Sequence, residues 1–252
     1  MKTVLAALDA SAAARPVLET ALGFARLTDA TVHAVHVTDG PVTTPESLAT
    51  RAGVDLRLLD GPVDAALLDA LAGAEVIAAV LGARATPGGR RPTGRHCGSV
   101  VEQARKPVLV VPPEAAGEAP RSIRRLLVPL DGTELTSRPV VDVLCPLLAD
   151  QVEFLVLHVF TRDTMPRVLD DPRRDLELWG GEFLARHCPN ATEIELRVGS
   201  VQAQVAAVTR EQPADLIVLS WSQDSSPGHA AVVRDVLADT TLPVILLPAL
   251  LE

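Results

Sequence analysis

The sequence predicts an α/β protein of two tandem five-stranded parallel sheets, each with helices on both faces. Short continuous apolar runs, typical of strands buried on both faces, alternate with helical segments along the chain. The alternation occurs twice in the same order, which indicates two copies of one unit. Strands separated by helices pair in parallel through right-handed crossovers. Hydrophobic residues make up 48% of the 252 residues and aromatic residues only 2%, so Ala, Val and Leu must fill both cores.

Four features recur in both copies. Two stand 122 residues apart: an Asp after the first strand (Asp9 and Asp131) and a His-Val pair ending the second strand (His36 and His158). The other two are an Arg-Pro-Val helix start and a closing apolar strand bounded by prolines. These begin at Arg15 and Arg138, and at Pro107 and Pro243. Pro and Gly punctuate the segment 112–120 between the copies, which predicts a linker. The predicted domains are residues 1–114 and 121–252.

Each strand and helix follows from this pattern. The predicted strands are 2–8, 30–37, 54–59, 75–81 and 107–111 in the first copy and 124–130, 152–159, 193–198, 214–219 and 243–247 in the second. The predicted helices are 11–27, 62–72 and 98–105, then 134–149, 174–187, 201–212 and 229–239. In the first helix, apolar residues from Val17 to Ala25 form one face. The segment 43–51 offers at most a short helix.

Composition excludes several classes of function. The net charge of −9 and the pI near 5.2 argue against nucleic-acid and membrane-surface partners. Cys97, Cys145 and Cys188 form no CxxC pattern, so neither a disulfide framework nor a zinc site is expected, and no other metal site is predicted. We expect a reduced, cytoplasmic compartment. The N-terminal apolar run reads as a strand rather than a signal peptide, and no apolar stretch reaches 18 residues.

A candidate ligand site lies where the predicted strands end, because open parallel sheets bind ligands at the carboxyl ends of their strands. Asp9 follows the first strand, and Gly82 opens a glycine-rich loop that reaches a helix at Gly98 and Ser99. Glycines permit close backbone approach, and a helix N-terminus attracts anions. The loop also carries four arginines, Arg84, Arg90, Arg91 and Arg95. The pattern indicates a phosphate cradle, although a solvated connection fits the same residues.

These motifs resemble the universal stress protein family over both halves of the chain. The resemblance implies a Rossmann-like fold of the adenine-nucleotide α-hydrolase type. Nucleotide-binding members carry Gly, two residues, Gly, nine residues, then Gly-Ser or Gly-Thr. Here Gly82 matches the first glycine, Ala85 replaces the second, and nine residues separate Gly88 from Gly98-Ser99.

The resemblance implies ATP or ADP as the ligand of the first copy, with Mg²⁺ as a possible companion. Asp9 would bond adenine or ribose, and Val37 would line the adenine pocket. Gly82 would meet the ribose. The phosphates would meet Gly88, Gly98 and Ser99. The full predicted site is Ala7, Asp9, Val37, Gly82, Gly88, Gly98, Ser99 and Val100.

The second copy departs further from the family pattern. Trp221 and Asp224 stand where a phosphate would approach, and no Gly-Ser opens the next helix. We therefore expect no ATP in the second copy. The resemblance also implies that the closing strands 107–111 and 243–247 pair to form an intrachain pseudo-dimer, and a homodimer of whole chains is a further possibility.

Three functions stay open at this point. The first is a non-catalytic stress-response protein that binds ATP or ADP in the first copy. The alternative is a nucleotide-free interaction or scaffold protein built on the pseudo-dimer. A third is an enzyme that transfers AMP. No catalytic residues are predicted, since the sequence holds no nucleophile elbow, HExxH or full P-loop, so we expect at most slow ATP hydrolysis. His36 and His158 are expected to be packed rather than catalytic.

Overall fold

A computed structural model describes residues 1–11, 13–38, 42–83, 93–115, 122–148, 151–161, 164–165, 172–223 and 231–249. The strands are β1 Lys2–Ala7, β2 Ala30–Val37, β3 Asp55–Leu59, β4 Val76–Gly82, β5 Val108–Val111, β6 Arg125–Pro129, β7 Glu153–Phe160, β8 Glu193–Val198, β9 Leu216–Trp221 and β10 Val244–Pro248. The helices are α1 Ala14–Leu27, α2 Thr43–Ala52, α3 Val63–Ala72, α4 Arg95–Gln103, α5 Glu134–Pro139, α6 Cys145–Leu148, α7 Pro172–His187, α8 Val201–Glu211 and α9 Ala231–Asp239. A π-helical turn, Val140–Leu144, joins α5 to α6.

The ten strands form one sheet in the order β3-β2-β1-β4-β5-β10-β9-β6-β7-β8. All pairs are parallel within β1–β5 and within β6–β10. The two sets meet at β5 and β10, which pair antiparallel with Val110 opposite Val244. The predicted α/β class is confirmed, and so is the pairing of the closing strands. The two predicted five-stranded parallel sheets are both present, and the pairing of their closing strands joins them into one ten-stranded sheet. The division into domains 1–114 and 121–252 stays a prediction.

Two hydrophobic layers cover the two faces of this sheet. Alternate strand residues face opposite sides, so Val4 and Ala6 pack with α1 while Leu5 packs with the layer that holds α3 and α4. Each layer continues across the β5–β10 junction into the second half of the chain. None of the helices in the described part of the chain is long and apolar enough to cross a lipid bilayer.

Helices α1, α2 and α4 differ most from their predicted limits, and α1 begins at Ala14, three residues after the predicted start at residue 11. The segment 43–51, expected to form at most a short helix, lies in the ten-residue helix α2, although only Pro45 and Ala49 of it are buried. Helix α4 begins at Arg95, three residues before the predicted start at residue 98. The early start of α4 changes which backbone groups face the candidate site.

Candidate functional site

A cavity of about 280 Å³ opens at the carboxyl ends of β1, β2 and β4. Its floor and walls come from these strands and from the starts of α1, α3 and α4, which the crossovers bring to the same edge of the sheet. Most of the lining is apolar, with one carboxylate and one arginine among it. The lining residues are Ala7, Leu8, Asp9, Ala13, Val17, Val35, His36, Val37, Val63, Leu67, Leu81, Gly82, Ala83, Gly94, Arg95, His96 and Cys97.

Asp9 begins the turn into α1. Its Oδ1 accepts hydrogen bonds from the backbone N–H of Ser11 at 2.9 Å and from the Ser11 hydroxyl at 2.6 Å. This is the local bond by which an Asp satisfies backbone donors before a helix. Oδ2 makes no hydrogen bond with the described residues, so Asp9 can hold the turn and accept a bond from a ligand as well.

Asp131 makes the same turn in the second half of the chain. Its Oδ1 accepts from the N–H and hydroxyl of Thr133, each at 2.8 Å, and from the Thr136 hydroxyl at 2.6 Å. Partial burial raises the pKa of Asp131, but the bonds from Thr136 and Thr133 outweigh that effect and leave it below its usual value. The extra bond from Thr136 ties Asp131 more closely to its own helix than Asp9 is tied.

His36 and His158 hold equivalent places in the two halves. Each ring is buried, and each Nδ1 bonds the carbonyl of the residue before the Asp: Leu8 at 2.8 Å and Leu130 at 2.9 Å. A carbonyl only accepts, so Nδ1 carries the proton in both rings. These bonds fix the neighbouring strand ends side by side, which supports the expectation that both histidines are packed residues.

The N-terminus of α4 faces the cavity. Gly94 is extended before the first turn, with φ −68° and ψ 163°, and its N–H donates to the carbonyl of Ala83 at 2.5 Å. The first intrahelical donor is Gly98, whose N–H bonds Gly94 O at 2.9 Å. The preceding N–H groups, from Arg95 to Cys97, therefore have no partner within the helix and can meet an anion.

The structure brings together four of the predicted site residues. Ala7, Asp9, Val37 and Gly82 all line the cavity. Gly98, Ser99 and Val100 lie within α4 and outside the lining, because the helix starts earlier than predicted. Gly88 falls outside the described residues, as do Arg84, Arg90 and Arg91, whereas Arg95 is the first residue of α4 and is exposed.

Ser99 instead links two helices. Its hydroxyl donates to Oδ2 of Asp64, in the first turn of α3, at 2.8 Å, and His96 Nδ1 lies 3.6 Å from Oδ1 of the same carboxylate. The hydrogen bond from Ser99 holds the pKa of Asp64 below its usual value. Asp64 thus fixes the start of α4 at the cavity mouth, which makes Ser99 an anchor for the helix.

Sequence reasoning missed the contribution of α3 and of the true first turn of α4. Val63 and Leu67 line the cavity from α3, and His96 and Cys97 from α4. The spacing of Val63 and Leu67 on one helical face was readable, and Gly94 was a usable helix-start signal. Burial raises the pKa of Cys97 to about 12, which keeps its thiol protonated and unreactive.

The corresponding cleft of the second half is smaller, at about 230 Å³. Trp221 lines it with its side chain only 7% exposed, and the hydroxyl of Ser220 donates to Thr136 O at 2.7 Å. The indole of Trp221, expected where a phosphate would approach, belongs to the core. Asp224 falls outside the described residues. A larger side chain and a strand-to-helix bond thus border the cleft of the second half.

The described residues show neither a disulfide nor a metal cluster. All three cysteines are free and buried. No three His, Cys, Asp or Glu side chains converge on a possible ion position within the described ranges.

Comparison with solved structures shows the same fold over the whole length of the chain. A universal stress protein from Archaeoglobus fulgidus aligns with 98% of this chain and 98% of its own, at 15% identity and a TM-score of 0.68. A putative universal stress protein from Pseudomonas aeruginosa covers 98% and 93%, at 12% identity and a TM-score of 0.67. A universal stress protein in complex with cAMP covers 51% and 98%, at 18% identity and a TM-score of 0.38.

The family comparison agrees with the fold. No curated protein matches the sequence. The profile of the Universal stress protein family matches residues 1–58 and 122–248, which together make up well over half of the chain and include both Asp-turn motifs. The chain therefore belongs to the universal stress protein family.

Proposed function

We propose that the first half of this chain binds ATP or ADP in the 280 Å³ cavity and signals its occupancy to a partner without catalysing a reaction. One observation carries the proposal: a carboxylate whose second oxygen makes no bond with the described residues, apolar walls and the N-terminal turn of a helix converge on a single cavity. Ligand pockets typically combine apolar walls with a few placed polar groups in this way.

The apolar walls suit the base of a nucleotide. Val35 and Val37 from β2 line the cavity together with Val63 and Leu67 from α3, and we place adenine against these four side chains. Oδ2 of Asp9 can then accept a hydrogen bond from the adenine amino group or a ribose hydroxyl. Gly82 also lines the cavity, and in the proposed complex the ribose approaches its backbone, which no side chain covers.

The start of α4 suits the phosphates. In the proposed complex the N–H groups of Arg95, His96 and Cys97 replace the predicted contacts from Gly98 and Ser99, and the Arg95 guanidinium adds positive charge. Any Mg²⁺ is proposed to arrive with the phosphates and to be held by their oxygens. A phosphate contact from Gly88 stays part of the proposal, and this arrangement does not depend on it.

Calorimetric titration with ATP and ADP tests the proposal, with Asp9→Asn and Asp131→Asn as matched variants. Hydrogen bonds to charged groups contribute about 1.5–3 kcal/mol, so we expect Asp9→Asn to weaken binding by about tenfold or more. Asp131→Asn, at the equivalent position of the second half, should leave affinity unchanged. Wild-type protein that gives neither heat nor a rise in melting temperature at millimolar ATP would refute nucleotide binding, because a bound ligand must stabilise the folded state.

The proposal includes a cytoplasmic location and at most slow ATP hydrolysis. Three free buried thiols fit a reducing compartment. The groups gathered at the cavity bind and orient a nucleotide, while the buried His36 has its Nδ1 engaged by Leu8. Turnover of ATP at several per second would contradict this part of the proposal.

A nucleotide-free scaffold is the second candidate, and the junction between the halves favours it. The β5–β10 pairing makes the sheet continuous, and Gln223 reaches from the end of β9 to the carbonyls of Val101 and Ala104 at the end of α4. An uncovered β5 edge would seek another strand. We expect residues 1–115, expressed alone, to self-associate through β5, and a soluble monomer in analytical ultracentrifugation would count against this interface.

A further inference from the structure

A separate cavity of about 270 Å³ lies in the second half of the chain, between α7 and the carboxyl ends of β6 and β7. It shares only Asp131 with the cleft that corresponds to the first-half cavity. Its remaining lining comes mainly from one face of α7, where Trp179, Phe183 and His187 follow each other at four-residue intervals. This cavity is separate from the proposed nucleotide site.

Aromatic rings form one wall. The chain has only four Phe and two Trp. Phe183 and Trp179 line this cavity together with two histidines, and Phe160 packs against Trp179. Trp179 and Phe183 stack with centroids 5.0 Å apart and an interplanar angle of 25°. His158 lies 4.7 Å from Phe183, which in turn lies 4.7 Å from His187. So large a share of the aromatic side chains at one cavity favours a ligand that uses π faces.

Both histidines present a hydrogen-bond acceptor to the cavity. His158 Nδ1 donates to Leu130 O, as described above. His187 Nδ1 lies 3.4 Å from the hydroxyl of Ser137, and that hydroxyl donates its own proton to Thr133 O at 2.9 Å. Nδ1 of His187 must therefore be the donor, and in both neutral rings Nε2 carries a lone pair. Burial lowers the pKa of each ring, so both stay neutral at pH 7.

Neither Nε2 has a partner among the described residues, although His158 and His187 are only 6% and 9% exposed. Nε2 of His36 is also unpaired, but it is sealed within the protein. His158 and His187 instead both line the cavity. Their Nε2 lone pairs are therefore available to accept hydrogen bonds from a donor that enters it.

The charged side chains at the cavity are mainly acidic. Oδ2 of Asp131 makes no hydrogen bond with the described residues, and Glu182 stands at the exposed rim. Arg186, one turn further along α7, supplies the opposing positive charge. The lining thus offers two lone pairs and two carboxylates but only one guanidinium. A cation that donates hydrogen bonds is therefore bound more favourably here than an anion.

We propose that this cavity binds a small organic cation, a primary ammonium group carried on a flat apolar ring. The ammonium group donates to Nε2 of His158 and His187 and is paired by Asp131 and Glu182. The ring lies against Trp179 and Phe183. The described residues of the first half form no equivalent aromatic wall, because the shorter α2 takes the place of α7 and carries no aromatic side chain.

Fluorescence titration with benzylamine tests the proposal directly. The variant Trp221→Phe leaves Trp179 as the only tryptophan, so its emission reports this cavity alone. We expect a saturable change with benzylamine and binding at least about tenfold weaker for benzyl alcohol and for benzoate, which keep the ring but lack the cation. Equal or tighter binding of benzoate, or no saturable change with benzylamine, would overturn the proposal. Calorimetry on the unmodified chain must give the same order of affinities.

Matched variants on α7 locate the site. Glu182→Gln removes a rim carboxylate and should weaken benzylamine binding by about threefold, whereas Glu177→Gln, on an exposed position of the same helix, should change nothing. His187→Phe keeps a ring and removes the lone pair, and we expect a loss of about tenfold or more. Should His187→Phe fail to fold, the Glu182 and Glu177 pair still decides, and identical affinities for that pair would contradict the proposed site.

Discussion

The two halves of this sheet use the same backbone devices around different side chains. Asp9 and Asp131 make the same turn, and His36 and His158 make the same bond to the preceding strand end. Strand register pairs Gly82 with Val111 and Ser220 with Leu247, which makes Ala83 the counterpart of Trp221. A methyl group borders the cavity in one half, and an indole borders the smaller cleft in the other. The two halves thus share the same backbone geometry, while single side chains determine the shape of each cavity.

The largest effect on the free energy of unfolding is expected from truncating Trp221, which borders the cleft of the second half. Trp221→Ala removes a nearly buried indole from the core, and such truncations cost about 3–5 kcal/mol in the free energy of unfolding. Urea denaturation measures the loss. Trp179→Ala is the matched control, because Trp179 is partly exposed and should cost clearly less. Equal losses for the two variants would contradict the greater contribution to stability expected from the more deeply buried Trp221.

A smaller effect is expected at the contact between the halves. Gln223→Ala removes the bonds to Val101 O and Ala104 O, which satisfy carbonyls at the end of α4. We expect a loss of about 1–2 kcal/mol in the free energy of unfolding, since each such bond contributes about 1 kcal/mol. The neighbouring Ser222→Ala, which removes no bond seen among the described residues, serves as the control in the same denaturation series. An unchanged midpoint for Gln223→Ala would mean that this bridge adds nothing to the junction.

The smallest effect is a difference in pH response. Burial lowers the pKa of His158 and His187 below the usual 6.5, so below about pH 6.5 the unfolded chain binds protons that the folded chain does not. The free energy of unfolding therefore falls as the pH drops through this range and levels off below the folded pKa values. Urea denaturation at a series of pH values should show a shallower slope for His187→Gln. The exposed His33→Gln should leave the slope as it was, and a shallower slope there would contradict the assignment.

Much of the fold was readable because the repeat and the apolar runs are local properties of the chain. The strands predicted at 30–37 and 107–111 lie within one residue of β2 and β5. The start of α4 was misplaced because Gly98-Ser99 has the composition of a helix cap. The actual start follows from the bond between Gly94 N–H and Ala83 O, a contact across the cavity mouth. The sequence predicts at most a short helix at α2 because this segment buries only two residues and its apolar periodicity is weak.

Sequence alone determined the two copies, their parallel strands and the place of Asp9, Val37 and Gly82 at the strand ends. Once α7 is known to be a helix, the four-residue spacing of Trp179, Phe183 and His187 also puts them on one of its faces. Only the tertiary structure decided that α3 supplies a cavity wall, that Ser99 bonds Asp64 and that His158 meets the rings of α7. The physical reason is that periodicity and turn chemistry act between near neighbours in the chain. Cavities and hydrogen-bond partners instead depend on which distant side chains packing brings together.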